Sequence, residues 1–359
     1  MAQVLAQYFG LTSQIEMEKY RQFADGGTGV NPFVPLWSHH RSSLAAKALK
    51  VLVLVPVAVA RLALFAVALV WLALAELVAV AIPLGILRYP VYRVLSYVGC
   101  ALALFALGVL PLGDALADHR RLKIAPPKAG GSQVFDAGHG SLVLVNQQGL
   151  TDVLYLGLKL CPTFVFLAGN GAPVRCSLIA ALRRAGSRRP APPVAKAAPM
   201  AETLDWARSG WRGPVAVFAE GARTNGSCVL AWRPETFQGP APFERPAGTA
   251  LASLEYSKTG AYTPHHTVGT AFRHVFWLCY QPWHTVRSVW LPASSVAVAI
   301  KGKSVPEQTA LLRTVLTRMI PGAVEVEVSC NKHTEFMAYW DASQRKRYTQ
   351  QQQQQKKAA

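Results

Sequence analysis

Two short polar clusters hold most of the chain's chemical capacity: Asn146-Gln147-Gln148-Gly149-Leu150-Thr151-Asp152 and Phe218-Ala219-Glu220-Gly221-Ala222-Arg223-Thr224-Asn225-Gly226. Each follows an apolar run of strand length, Ser141 to Val145 and Pro214 to Phe218. In α/β sheets the loops at the carboxyl ends of strands are where ligands usually bind. If the two strands are parallel and adjacent, the carboxylates of Asp152 and Glu220 and the guanidinium of Arg223 converge on one rim. Arg223 is then placed for bidentate pairing with a phosphate. Gly221 lets backbone N–H groups approach the same oxyanion. Taken singly, either cluster also fits a turn with a helix cap, Thr151 or Asp152 capping the helix that follows. The residues themselves specify an anion site beside a carboxylate.

Their order and the 68 residues from Asp152 to Glu220 are more specific than either cluster alone. Here the chain resembles the lysophospholipid and glycerol-phosphate acyltransferase superfamily. That superfamily's first block is Asn-His, four residues, Asp, and its third is Phe-Pro-Glu-Gly-Thr-Arg-Ser. Asn146 and Asp152 match the first block, and Phe218, Glu220, Gly221 and Arg223 match the third. A narrower likeness is to the fungal lysophosphatidic acid:oleoyl-CoA acyltransferase family. It is carried by Met17-Glu18-Lys19-Tyr20, by Asp25 to Pro35 (DGGTGVNPFVP), by Phe-Ala-Glu-Gly at Phe218 to Gly221, by Asn225-Gly226 and by the basic stretch Gln344 to Arg347. Between residues 227 and 335 the likeness is patchy, and Arg188 or Arg189 stands as the second-block counterpart.

The resemblance implies transfer of a long acyl chain from acyl-CoA to lysophosphatidic acid or a related lysophospholipid, giving phosphatidic acid, with acyl-CoA as co-substrate, no other cofactor and no metal. It implies an endoplasmic reticulum membrane and lipid-droplet location, the catalytic domain facing the cytosol. Arg223 is expected to bind the acceptor phosphate, with Glu220, Gly221 and Phe218 shaping that site. Asp152 would orient the reacting end, and Gln147 and Asn146 would hydrogen-bond the hydroxyl or the carbonyl oxygen. Gln147 stands where the superfamily has its histidine, and an amide cannot take the acceptor's proton. Losing a general base costs about 10² to 10⁴ in rate. Substitutes to weigh are Asp152, His139, the pair His265 and His266, or the substrate's own phosphate. The rival expectation is a non-catalytic membrane protein that keeps the fold and binds lipid or a partner.

The elements that must hold these residues read as α/β: an acyltransferase-type mixed sheet flanked by helices, with an N-terminal membrane-embedded helical hairpin. Ser141 to Val145, Thr163 to Leu167 and Pro214 to Phe218 are expected strands. Asp152 to Lys159 and Met200 to Arg208 are expected helices, and Arg175 to Arg189 a basic helix and loop. The organisation is a polar segment over 1–43 made of loops and caps, membrane helices or a hairpin over 44–113, the α/β domain over 114–340, and a basic, Gln-rich, disordered tail over 341–359.

Within 44–113, Val51 to Leu87 is interrupted only by Arg61 and Glu76, and Val94 to Gly113 is long enough to cross about 30 Å of hydrocarbon, which takes roughly 20 helical residues. A charge at mid-bilayer costs about 2.5 to 3.5 kcal/mol. Arg61 or Glu76 could therefore snorkel to an interface, or the segment could form a shallow hairpin kinked near Pro83 and Pro90. A buried hairpin of a soluble protein is the alternative. Basic residues on both flanks, among them Arg41, Lys47, Arg120 and Arg121, point to a cytosolic face.

Composition narrows the rest. The net charge of +18 would attract nucleic acid, lipid headgroups and CoA alike, and the basic residues form no aromatic-rich stripe; given the membrane segment, lipid and CoA are the favoured partners. The six cysteines show no CxxC pair and read as buried thiols. Met1 to Tyr20 lacks the apolar run of a secretory signal. Gly302-Lys303-Ser304 reads as a solvated turn, because Ala297 stands where a phosphate-binding loop needs Gly. Phe276, Trp277, Tyr280, Trp283 and Trp290 could form a core or an interfacial surface.

Overall fold

The computed structural model describes residues 19–36, 44–126, 133–188, 191–239, 242–258 and 261–358. Two apolar helices come first, α1 (Leu44–Ala81) and α2 (Gly85–Ala106), each long and apolar enough to cross a membrane. They part at Pro83, which has no N–H to continue a helical ladder. Ala58, Phe65, Ala68, Leu72, Ala75 and Ala79, spaced three, four or seven apart, put one face of α1 into the core, while Val59, Val67, Val70, Leu74 and Leu77 stay exposed. The helices touch closely at Gly99, where a Cβ would lie 2.5 Å from Leu72 Cδ2.

Two of the charges in α1, Arg61 and Glu76, face neither lipid nor water alone. Arg61 donates to the carbonyls of Cys279, Gln281 and Pro282 at the end of a later helix, and Glu76 accepts from Ile179 N at 2.7 Å at the start of another. Each sign suits the helix terminus that it meets.

After α2 come β1 (Val109–Leu116), α3 (His119–Leu122), β2 (Leu142–Val145), α4 (Leu150–Lys159), β3 (Thr163–Leu167), β4 (Pro173–Cys176), α5 (Leu178–Gly186), α6 (Met200–Ser209) and β5 (Val215–Phe218). Then follow β6 (Cys228–Val229), β7 (Thr249–Tyr256), α7 (Ala271–Tyr280), β8 (His284–Leu291), α8 (Ala293–Ile300), α9 (Val305–Met319), β9 (Val324–Glu325) and α10 (Asn331–Ala358). Seven strands form one mixed sheet in the order β1-β8-β7-β2-β5-β3-β4. Central β2 pairs in parallel with β5 and β7, and its residues Leu142, Val143, Leu144 and Val145 are buried on both faces. On one face Val143, Val145 and Phe218 share a core with α1, α2 and α4; on the other, Leu142, Leu144 and Val217 pack on α6 and α9.

Four expectations change. Val94 to Gly113 is not one span: α2 stops at Ala106, Gly108 turns the chain at φ 68°, and Val109–Leu116 pairs with β8. Pro111 and Gly113 are poor helix residues that an edge strand tolerates, so the boundary placed at 113 falls inside β1. The stretch read as loops and caps supplies Tyr20, Phe23, Phe33 and Val34 to a third core, against Phe336 and Trp340 of α10. Arg175 lies in β4, and the basic helix begins only at Leu178, capped by Ser177. The tail expected to be disordered continues α10 as helix to Ala358, since Gln, Lys and Arg are good helix formers extending an anchored turn. Met17, Glu18, Arg41 and Arg189 lie outside the described residues.

Trp277, Tyr280 and Trp290 are core, whereas Trp283 is exposed and Phe276 half-buried. Ser304 caps α9 beyond the Gly302 turn. The cysteines are free thiols, five buried and Cys330 half-buried.

Candidate functional site

Parallel pairing in the register Val145 to Phe218 sets the two polar clusters side by side at the carboxyl ends of β2 and β5. Glu220 stitches them: Oε1 accepts from Gln147 N at 2.9 Å and Oε2 from Leu230 N at 3.0 Å. Thr224 N closes the seam by donating to Gln147 O at 2.9 Å. Burial pushes the Glu220 carboxyl up to about 8 against the pull of those two N–H donors.

Asp152 sits at the start of α4, where its Oδ2 accepts from Gln148 N at 2.5 Å and Gly149 N at 2.7 Å. Its Oδ1 accepts from the Tyr256 hydroxyl at 2.7 Å. The carboxyl is fully buried, and that burial raises it to about 6. Asp152 therefore fixes the first loop and orients a phenol, not an imidazole.

Arg223 is also fully buried. Nη1 donates to Ala185 O at 2.5 Å and to His266 Nδ1 at 3.0 Å, while Nη2 meets only the Met337 sulfur of α10 at 4.0 Å. No carboxylate pairs with it among the described residues. The Nε and Nη2 edge, the half of the fork that suits two oxygens of one anion, has no oxygen acceptor there.

The imidazoles come from a loop far along the chain. Since a guanidinium only donates, His266 accepts at Nδ1 and carries its proton on Nε2. Burial and then Arg223 hold its pKa well below the ordinary value. His266 N donates to Gln148 O at 2.8 Å, and its ring stacks on His274 at 4.3 Å. His265 lies edge-on to Tyr256, ring centres 6.0 Å apart, and both its nitrogens are buried without a partner among the described residues. Burial holds it down to about 3, so the ring is neutral. A Cβ at Gly226, where φ is 73°, would lie 2.7 Å from His265 Nε2 and 3.1 Å from Gln148 Nε2, so glycine makes room for both.

Among the described residues, both side-chain amide atoms of Gln147 and Gln148 Oε1 are without a partner. Such a concentration of buried, unmet donors and acceptors is what a polar ligand or water would satisfy. Side chains of Gln147, Asp152 and Arg223 are closed to solvent; Asn225 ties the second loop to the carbonyls of Asn31 and Val34, and α10 lies over Arg223.

Four candidate residues do other work. Asn146 mimics a strand residue, its Oδ1 accepting from Leu254 N at 2.8 Å and its Nδ2 donating to Leu254 O at 2.9 Å, so it is committed to β7. Phe218 packs on Phe164 and Phe166 in the core. Gly221 makes the turn at φ 67° against Leu167 and Cys330. His139 sits at the amino end of β2, where Nδ1 accepts from Gly213 N at 2.8 Å, so it cannot reach the cluster.

Tyr256 was missed because Thr249 to Tyr256 was not read as a strand; the rule that singled out Asp152 and Glu220 would have singled it out too. Among the described residues no three His, Cys, Asp or Glu side chains are grouped to hold a metal ion. Compared with family models, curated proteins and solved structures, the chain matches none.

Proposed function

We propose that the protein is a glycerolipid O-acyltransferase of the lysophosphatidic acid:oleoyl-CoA type, held in an endoplasmic reticulum or lipid-droplet membrane by α1 and α2 with its α/β domain in the cytosol. One observation carries this reading: the β5 loop holds a buried guanidinium without a carboxylate partner among the described residues, bonded to His266, whose neighbour His265 is unpaired, and the β5 loop is joined to the β2 loop that carries the unpaired Gln147 amide. The open edge of Arg223 would take the acceptor phosphate, displacing the flexible Met337 thioether. His265 is the better base of the histidine pair, because the lone pair of His266 already accepts from Arg223. The acceptor oxygen attacks the thioester carbonyl as His265 takes its proton. The C–S bond then breaks, and the proton passes to the CoA sulfur. The Gln147 amide is suited to the carbonyl oxygen as charge develops there. The outward apolar face of α1 supports membrane seating.

A non-catalytic lipid-binding protein is the second reading, favoured by the complete burial of Arg223 and Asp152. The purified full-length protein in detergent, given labelled oleoyl-CoA and lysophosphatidic acid, separates the two. Labelled phosphatidic acid is expected. No transfer to any of a range of lysophospholipids, by protein shown to be folded, favours the second reading.

A further inference from the structure

A cavity of about 380 Å³ lies between the α1–α2 turn and the first residues of β3, at the opposite end of the parallel strands from Asp152 and Arg223. Three guanidiniums line it. Arg212 and Arg175 approach the ring of Trp206, with Cζ 4.1 and 4.9 Å from its centre, and Arg88 reaches in from α2. Stacking on an indole leaves the N–H edges of a guanidinium free for an anion. Arg88 donates to Gly210 O at 3.0 Å, and Arg212 Nε is buried without a partner among the described residues.

Counter-charge is missing. Among the described residues neither Arg88 nor Arg212 belongs to an ion pair, and Arg175 pairs only at 3.4 Å with the well-exposed Glu202. The acid in the wall, Glu76, is already taken: it accepts from Ile179 N and Ser177 Oγ at the start of α5. Burial, then Arg88 and Arg175, hold Arg212 below the usual guanidinium range, which marks mutual repulsion. A bound anion would relieve it. Beside the mouth, Val80, Leu84, Ile86 and Leu87 are exposed, so an anion bound here meets hydrocarbon on its other side. Basic pockets beside apolar helices are suited to phosphorylated lipid headgroups.

We propose that this cavity binds the phosphate of an anionic lipid headgroup, at a site separate from the acyl-transfer cluster and independent of whether that cluster is catalytic. Full-length protein is floated with phosphatidylcholine vesicles with and without phosphatidic acid. Wild type should prefer the phosphatidic acid vesicles, and Arg88→Gln/Arg212→Gln should lose about 30-fold of that preference while binding neutral vesicles unchanged. Arg120→Gln/Arg121→Gln, which removes the same charge from exposed positions, should keep it. Equal loss in both pairs, or no preference in wild type, overturns the proposal. Inorganic phosphate bound by wild type and lost in the double variant, with no preference between the vesicles, assigns the cavity to free phosphate and overturns the lipid assignment. Where the double variant does not fold, Arg88→Gln carries the same test, since it disturbs neither guanidinium against Trp206.

Discussion

At the scale of single residues, proton transfer rests on which imidazole keeps a lone pair. Among the described residues His265 has no partner at either nitrogen, and it is neutral, whereas His266 is engaged by Arg223. His265→Ala should therefore lower kcat for acyl transfer by about 10² to 10⁴ with little change in KM, while His139→Ala should leave both unchanged. Equal losses in steady-state assays of the two variants would remove His265 from the chemistry. Arg223→Gln should instead raise KM for lysophosphatidic acid, by about 30-fold or more, since it loses a charge-assisted pair. An unchanged KM, measured by varying lysophosphatidic acid at saturating oleoyl-CoA, would detach Arg223 from the acceptor. Asp152, Glu220 and Arg223 were legible because each follows an apolar run ending in a polar loop. The choice of His265 over His266 was not, because their partners come from loops that no local spacing connects. Asn146 misled for a related reason: a side chain satisfied by the Leu254 backbone looks, in sequence, like one free to act.

At the scale of elements, the three strands read from apolar runs are β2, β3 and β5, and their parallel order follows from buried, non-alternating composition. Thr249 to Tyr256 escaped because Ser253 and Glu255 break its apolar run, although Ser253 is buried and Glu255 half-buried. β1 escaped because its apolar residues continue those of α2, and only Gly108, Pro111 and Gly113 mark the change. The hairpin is joined to the domain by shared packing: Ala58, Phe65 and Leu72 belong to the same core as Val143 and Leu156. Its inner seam has no room at Gly99, where a Cβ would overlap Leu72 and Trp71. Gly99→Val should therefore destabilise the protein in detergent by about 1 to 3 kcal/mol, the usual cost of overpacking, seen as a lower thermal midpoint. Gly302→Ala, at an open turn with nothing within 4 Å, tests backbone strain alone and should cost less. A midpoint for Gly99→Val at or above that of wild type would mean that the helices do not pack as described.

At the scale of the whole molecule, the buried titratable groups set opposing pH limits. His265 and His333 are held near 3 and His284 near 4, with His266 and His274 also depressed, all chiefly by burial. An unfolded histidine titrates at about 6.5, so below that pH the unfolded chain binds more protons, and stability is lost as pH falls toward 4. Glu220 works the other way. Raised from 4.5 to about 8, it leaves the folded state with the extra proton, so its contribution is full below 4.5 and is lost as pH rises through 8. Asp152, raised to about 6, acts in the same direction over a lower window. The five histidines outweigh the two carboxyls until the unfolded histidines are mostly deprotonated, which puts the stability maximum at about pH 7. Thermal midpoints across pH 4.5 to 8.5 should show that maximum, and Glu220→Gln should flatten the decline above it; a midpoint still rising through pH 8 in wild type would contradict the assignment. The central claim, that the cluster at the ends of β2 and β5 transfers an acyl group, is tested most directly by following CoA thiol release from oleoyl-CoA by wild type and His265→Ala, each shown to be folded. Release that requires lysophosphatidic acid in wild type and falls by at least about 100-fold in the variant is the expected result; equal release by the two proteins, or none by wild type, would contradict it.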